Sequence, residues 1–340
     1  MIGHEDIVRE LRSLAASEEP PHALLLAGSE GTGRAGLAQM YAKLLNCAER
    51  GSGAAPCGVC RNCHLIDEGT HPDVITLGPG DVLCRPREGE SHAKHPDSRD
   101  IRICQVRGLI DLVARYPFEA NYRMIVIDPA DRLGREAAHT LLKTLEEPPG
   151  HTVIVLITAA PESIIETILS RCRRIDVRTV PRPVIEAALV ARGIEPAIAN
   201  RAAEASRGLP GKALEFAKSP DLMGDRARIL GRCAQLASAN TGERFKYAND
   251  LAERFRSDRN KTGTELDIWE AFWEERLRLT AAPGNRAETA ECLVAMKAIG
   301  QAREDLQTQV APRAVFELMM LSFPRVRLDV LSEEVSAAHA

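Results

Sequence analysis

The chain has 340 residues, enough for a sizeable core and two or three domains. A formal net charge of -4 gives no basic footprint, which argues against strong nucleic-acid binding by this chain alone but still allows a subunit of a larger DNA-bound assembly. With no signal peptide and no membrane-length apolar run, the nine cysteines are read in a reducing compartment, where metal binding is favoured over disulfides.

In chain order, residues 5–17 carry the spacing of a short amphipathic helix that stops before Glu19-Pro20-Pro21. The uncharged run ALLLA follows and reads as a buried strand. A glycine-rich turn then opens directly into a helix continuing to about Leu45. Gly28, Gly31 and Gly33 permit tight backbone geometry, so that successive N–H groups and a helix N-terminus converge on phosphate oxygens. The spacing approaches G-x-x-x-x-G-K-[ST], with Arg34 at the lysine position and Ala35 where a hydroxyl should reach magnesium. Arginine keeps the charge but not the compact ammonium, and alanine offers magnesium no oxygen. The expectation is a phosphate cradle whose own hydrolysis is weak or absent.

Cys47, Cys57, Cys60 and Cys63 come next, in the string CAERGSGAAPCGVCRNC. Four thiolates close a tetrahedral structural zinc site and leave no coordination position for a substrate; free thiols or a redox pair are the alternatives. His64 and His71 read as loop or packing residues. After His71-Pro72-Asp73, VITL is a second short strand, and residues 78–100 form a polar loop. Cys84, His92 and His95 in that loop are too loosely spaced to favour a metal.

Ile103, Val106, Ile110 and Val113 mark one face of a helix over 103–116. RMIVID is a buried strand ending in Asp128. Acidic residues at such a strand end can organise magnesium and attacking water, but Asp128 and Asp131 suit turn and helix-cap roles equally. Pro129 stands where a catalytic glutamate is expected. A helix over 136–145 leads to the strand in HTVIVLITAA, with Thr158 at its end, placed either to sense a γ-phosphate or to cap a backbone group. A helix over 162–169, the run Ser170-Arg171-Cys172-Arg173-Arg174 and a strand in RIDV follow. Five short strands alternating with helices predict an α/β fold with a mostly parallel sheet.

Pro181 and Pro183 mark a hinge. Helices are expected over 184–192 and 196–207, then Lys212 at a lid turn or at a plain helix start, then longer helices over 222–239, 243–256, 264–281, 286–306 and 312–321. Trp269 and Trp273, four apart on one helix face, read as core or as a partner surface. Residues 331–340 read as a frayed tail.

The segments HALLLAGSEGTGRAG, CGVC-RNC, THPD, IRICQVR, MIVIDPADRL, LLKTLEEPPGHTVIVLIT and ILSRCRR, in this order, resemble the clamp-loader subunits of bacterial DNA polymerase III, most closely those of the delta-prime type. The resemblance spans about Leu24 to Lys212. It implies an AAA+ P-loop module over 1–178 with a zinc knuckle, a small helical lid over 179–219 and an all-helical collar over 220–330. It also implies that Arg171, in the Ser-Arg-Cys motif, is an arginine finger acting in trans on the ATP and Mg²⁺ of an adjacent motor subunit. Fingers of this kind contribute roughly 10³–10⁵ in rate in GTPases. Gly28, Gly31, Gly33, Arg34, Asp128, Thr158 and Lys212 are the corresponding contacts of a degenerate nucleotide site in this chain. The implied partners are the motor subunits, the delta subunit and, through the assembly, the sliding clamp and primer-template DNA, in the cytoplasm near the nucleoid and away from membranes. Motor subunits of the family keep a lysine-threonine pair in the loop and an acidic pair after the strand. Arg34, Ala35 and Pro129 depart from all of these and favour the non-hydrolysing role over an ATP-hydrolysing motor. A zinc module that binds DNA directly is the weaker alternative from another class.

Overall fold

The computed structural model describes all residues except 52, 54, 55, 82, 87–97, 281–285, 307, 309 and 325–340. His92, His95 and the 331–340 tail lie outside the described residues. The chain forms two compact units, Met1–Lys218 and Ser219–Ala340.

In the first unit, β1 (Ala23–Ala27), β2 (Val74–Leu77), β3 (Arg123–Ile127), β4 (Thr152–Thr158) and β5 (Arg173–Asp176) make one sheet. All pairings are parallel, in the order β2-β3-β4-β1-β5. Every residue of β1, β3 and β4 is buried, while the edge strands β2 and β5 are partly exposed. Parallel strands covered on both faces need such continuous apolar runs. The period of two then sorts the side chains. Leu24, Leu26, Met124, Val126, Val153 and Val155 face α1 (Glu5–Ala16), α2 (Arg34–Asn46) and α3 (Arg61–Asp67). Leu25, Ile125, Ile127, Ile154 and Leu156 pack on the other side with Val106, Leu109, Leu141 and Ile168 of α4 (Ile103–Val113), α5 (Arg135–Glu146) and α6 (Glu166–Leu169). Three further helices, α7 (Arg182–Val190), α8 (Pro196–Ala205) and α9 (Pro210–Lys218), enclose Ile185, Leu189, Ala199 and Ala213 together with Ile2 and Val180.

The second unit is helical: α10 (Pro220–Ser238), α11 (Thr241–Ser257), α12 (Arg259–Thr280), α13 (Arg286–Asp305) and α14 (Pro312–Ser322). Trp269 and Trp273 are fully buried, with Phe323 edge-on to both at 5.6 and 5.7 Å, so they are core. Among the described residues no helix is long and apolar enough to cross a membrane.

Two of the expected helices differ from the sequence expectation in where they run. The helix expected over 162–169 is a 3-10 turn, Pro161–Ser163, followed by four residues of α6. Between them Ile164 is extended and buried. Burying this branched residue in the core outweighs continuing a helix through the Ile164-Ile165 pair, whose side chains are stiff in a helix. The other difference is α12, which begins five residues before the expected start. The Asp258 carboxylate accepts the Lys261 N–H at 3.0 Å and starts the helix there, a cap readable as an aspartate before polar residues.

A buried ion pair shapes the loop between α4 and β3. Asp73, fully buried, accepts the N–H groups of Phe118 (2.8 Å), Glu119 (2.8 Å) and Ala120 (3.1 Å) and Nη2 of Arg123 (2.9 Å). Arg123 also donates to the carbonyls of Leu112, Arg115 and Tyr116. Burial alone would raise the Asp73 pKa, but the Glu119 and Phe118 N–H groups, the guanidinium and the Ala120 N–H outweigh it and hold the carboxyl below its usual range. Its contribution to stability is therefore complete above the ordinary carboxylate pKa and is lost as pH falls through the lowered folded-state value. Arg123→Ala leaves this carboxylate buried without its cation and is expected to cost about 3–5 kcal/mol in urea unfolding of the first unit. A cost below about 1 kcal/mol would show that the loop stands without the pair.

Candidate functional site

The cradle forms where β1 ends, between β4 and β5, at the C-terminal edge of the sheet. The Gly28 N–H donates to the Thr158 carbonyl (3.1 Å), and the Val177 N–H donates to the Ala27 carbonyl (2.7 Å). A Cβ at Gly28 would stand 2.2 Å from the Val177 carbonyl oxygen, so only glycine fits this close approach. Gly31 and Gly33 take φ of 82° and 96°, the left-handed turns that swing the chain into α2. The first-turn N–H groups of α2 have no intrahelical partners, which suits them to an anion.

Two chain segments close on this loop. From α9, the Gly211 N–H donates to the Gly31 carbonyl (2.8 Å), and Cγ of Lys212 lies 3.0 Å from where a Gly31 Cβ would be. The structure thus brings the expected lysine onto the loop. From the N-terminus, His4 Nε2 sits 2.9 Å from the Thr32 carbonyl oxygen, and the Met1 side chain lies over Gly33 and Gly36. Sequence spacing carried no signal for this N-terminal strap, because its contacts join residues about 30 positions apart.

Arg34 opens α2, is only 8% exposed, and its Nη1 has no hydrogen-bond partner among the described residues. Burial pushes the Asp128 carboxyl above its usual range; the Arg34 charge opposes this shift, and the Asp131 and Glu30 carboxylates add to it. Thr158 is fully buried. Its hydroxyl donates to Asp131 Oδ1 (2.7 Å) and accepts the Ala160 N–H (3.0 Å), so both bonds stay within the chain. The cradle therefore offers an anion a helix N-terminus and a buried guanidinium. Ala35 supplies no hydroxyl for magnesium, and Pro129 supplies no carboxylate to orient water. The cradle thus keeps the Asp128 carboxylate but lacks the hydroxyl and the second acidic group of a complete magnesium–ATP set.

On the α2–α3 side, the sulfur atoms of Cys47, Cys57, Cys60 and Cys63 all lie within 4.8 Å of one another. Sulfurs around a tetrahedral ion with metal–sulfur bonds of about 2.3 Å stand roughly 3.8 Å apart, so the cluster is capable of coordinating a metal ion. Cys47 directly follows α2, Cys60 precedes α3 and Cys63 sits in its first turn. Cys47 Sγ accepts the N–H groups of Glu49 (3.4 Å) and Cys57 (3.3 Å), and Cys57 Sγ accepts that of Cys60 (3.4 Å). These are the donors a thiolate cluster uses to spread its charge. His71 is not among the clustered donors: its Nδ1 accepts the Asp73 N–H at 3.1 Å. The short helix α3 inside the knuckle was hidden in the sequence by the cysteine spacing.

Arg171 follows α6, two residues before β5. Its side chain is one-third exposed. Nη2 donates to Glu146 Oε1 (2.6 Å), and Nη1 donates to the Thr167 carbonyl (2.8 Å) and to Ser170 Oγ (3.3 Å). Arg173 pairs with Glu10, and Arg174 with Asp176, along the exposed edge strand. Arg173 is in register with Leu24 near the start of β1, whereas the cradle begins beyond Ala27 at its end. Arg171 thus enters the sheet at the edge opposite the cradle.

A family model described as DNA polymerase III, delta subunit, matches residues 3–181. The chain is 29% identical over 247 residues to the delta-prime subunit of DNA polymerase III from Bacillus subtilis strain 168, covering 73% of this chain and 69% of that one. It is 36% identical over 159 residues to the delta-prime subunit from Pseudomonas aeruginosa, 47% of this chain and 44% of that one. It is also 36% identical over 172 residues to the tau subunit from Escherichia coli K12, 51% of this chain but 24% of tau. The matched stretch thus spans less than half of the last two proteins. With its parallel α/β module and helical C-terminal region, the chain belongs to the bacterial DNA polymerase III clamp-loader family, among its delta-prime-, tau- and gamma-like AAA+ subunits.

Proposed function

We propose that this chain is a delta-prime-type clamp-loader subunit that does not hydrolyse ATP itself and supplies Arg171 to ATP held by a neighbouring motor subunit. The observation that carries this reading is the placement of Arg171. It stands one-third exposed at the N-terminal edge of the sheet, away from a cradle in which Ala35 and Pro129 lack the oxygens of catalysis. A guanidinium so placed serves a phosphate brought by another chain better than one in its own loop. In this reading Gly28, Gly31, Gly33, Arg34, Asp128, Thr158 and Lys212 line a silent cradle, and the four cysteines hold a structural Zn²⁺. The helices of 179–219 act as the lid and those of 220–330 as the collar. The delta subunit, the sliding clamp and primed DNA are met through the assembly, in the cytoplasm.

The test is ATP turnover by the purified chain. The expected result is no magnesium-dependent hydrolysis above background. Turnover that Asp128→Asn abolishes would overturn the reading and restore the motor-subunit alternative.

A further inference from the structure

Glu146 stands out among the groups around Arg171 that the proposed chemistry leaves unused. It is the last residue of α5, and Glu147 follows it directly. Two carboxylates at the negative end of a helix are unfavourable unless cations answer them; Lys143 lies in the same last turn, and the cation paired with Glu146 is the Arg171 guanidinium at 2.6 Å. We infer that Glu146 is the positioning residue of the arginine finger, holding its guanidinium ready for a phosphate oxygen of the neighbouring subunit's ATP. This inference rests on the trans-acting role proposed above for Arg171.

The bonding pattern gives the reason. A guanidinium carries five N–H donors in a fixed planar fork. Nη1 uses its two on the Thr167 carbonyl and Ser170 Oγ, and Nη2 uses one on Glu146. The Nε–H and one Nη2 N–H make no hydrogen bond among the described residues. The group is therefore held by one part of the fork and offers the remainder to an incoming anion. Thr167 and Ser170 lie on the finger's own local turn and move with it. Among the described residues Glu146 alone ties the fork to a different element, the helix α5, so it fixes the direction of the guanidinium while α6 and β5 fix its backbone. A side chain already restrained loses less freedom when it meets the transition state. An ion pair this exposed adds little to folding stability, so its effect is to be read in turnover.

The test uses the full chain assembled with its motor-subunit neighbours, with clamp- and DNA-stimulated ATP hydrolysis measured for Glu146→Ala, Glu146→Gln, Arg171→Ala and the Glu146→Ala/Arg171→Ala pair. Glu146→Ala is expected to lower kcat by about tenfold with KM for ATP within about twofold, the pattern of lost orientation. Glu146→Gln still accepts the hydrogen bond and is expected to stay within about threefold of the parent. The double variant is expected to match Arg171→Ala alone. An unchanged kcat for Glu146→Ala beside an impaired Arg171→Ala would overturn the positioning role and leave the finger intact. A double variant slower than Arg171→Ala would overturn it too, since Glu146 would then act elsewhere. An unchanged kcat for Arg171→Ala would remove the finger itself.

Discussion

Stripping the proposed Zn²⁺ from the four-cysteine cluster, or replacing Cys63 by serine, is expected to unfold α3 and lower the melting temperature of the first unit by on the order of 10 °C. Cys63 and Cys47 are both buried within the core shared by α1, α2 and the sheet, while Cys57 and Cys60 pack against it. Without an ion, four thiols are crowded within 4.8 Å, and burial pushes the Cys63 thiol up to about 12. A divalent ion converts that crowding into binding free energy, which reaches roughly 10–16 kcal/mol in zinc-finger peptides. Only part of it is at stake here, because β1, β3 and β4 are buried independently of the knuckle. The measurement is one zinc released per chain on thiol modification, followed by thermal unfolding of the stripped protein. An unchanged melting temperature with no stoichiometric zinc would show that the cysteines are ordinary buried thiols.

Arg171→Ala in the assembled loader is expected to lower hydrolysis at the ATP site that Arg171 is proposed to reach by about 10³-fold, the lower end of the range known for fingers in trans. The substituted position lies outside the hydrophobic cores, and its ion pair with Glu146 is exposed, so folding and assembly are expected to survive. Arg171→Lys sharpens the prediction. Lysine restores the charge but not the planar fork, so it is expected to recover only a small part of the loss. Full recovery by lysine would mean that only a diffuse positive potential is needed at the interface. Gel filtration of each variant with its partners separates lost chemistry from lost assembly.

Much of the architecture was legible because its signals are local. Buried parallel strands require uninterrupted apolar runs, and ALLLA, RMIVI and TVIVLIT supply them. The cysteine spacing and the near-complete phosphate loop announced themselves in the same way. What stayed hidden depends on partners distant in sequence. The Asp131 carboxylate takes the Thr158 hydroxyl from 27 positions away, and His4 reaches Thr32 from 28. Asp73 and Arg123 are 50 apart, and nothing in the sequence marks them as a pair until the fold buries both. Just before α6, core burial of Ile164 overrode a plausible helical pattern, which no local propensity reveals. The opposition of Arg171 to the cradle is likewise a property of strand order, visible only once β5 is paired with β1.

The most direct measurement compares Arg171→Ala with Arg34→Ala, one at a time, in the clamp- and DNA-stimulated ATPase of the assembled loader. The predicted result is a large loss from Arg171→Ala and little change from Arg34→Ala, with both assemblies intact. The opposite pattern, activity lost with Arg34 and kept without Arg171, would mean that this chain handles its own nucleotide.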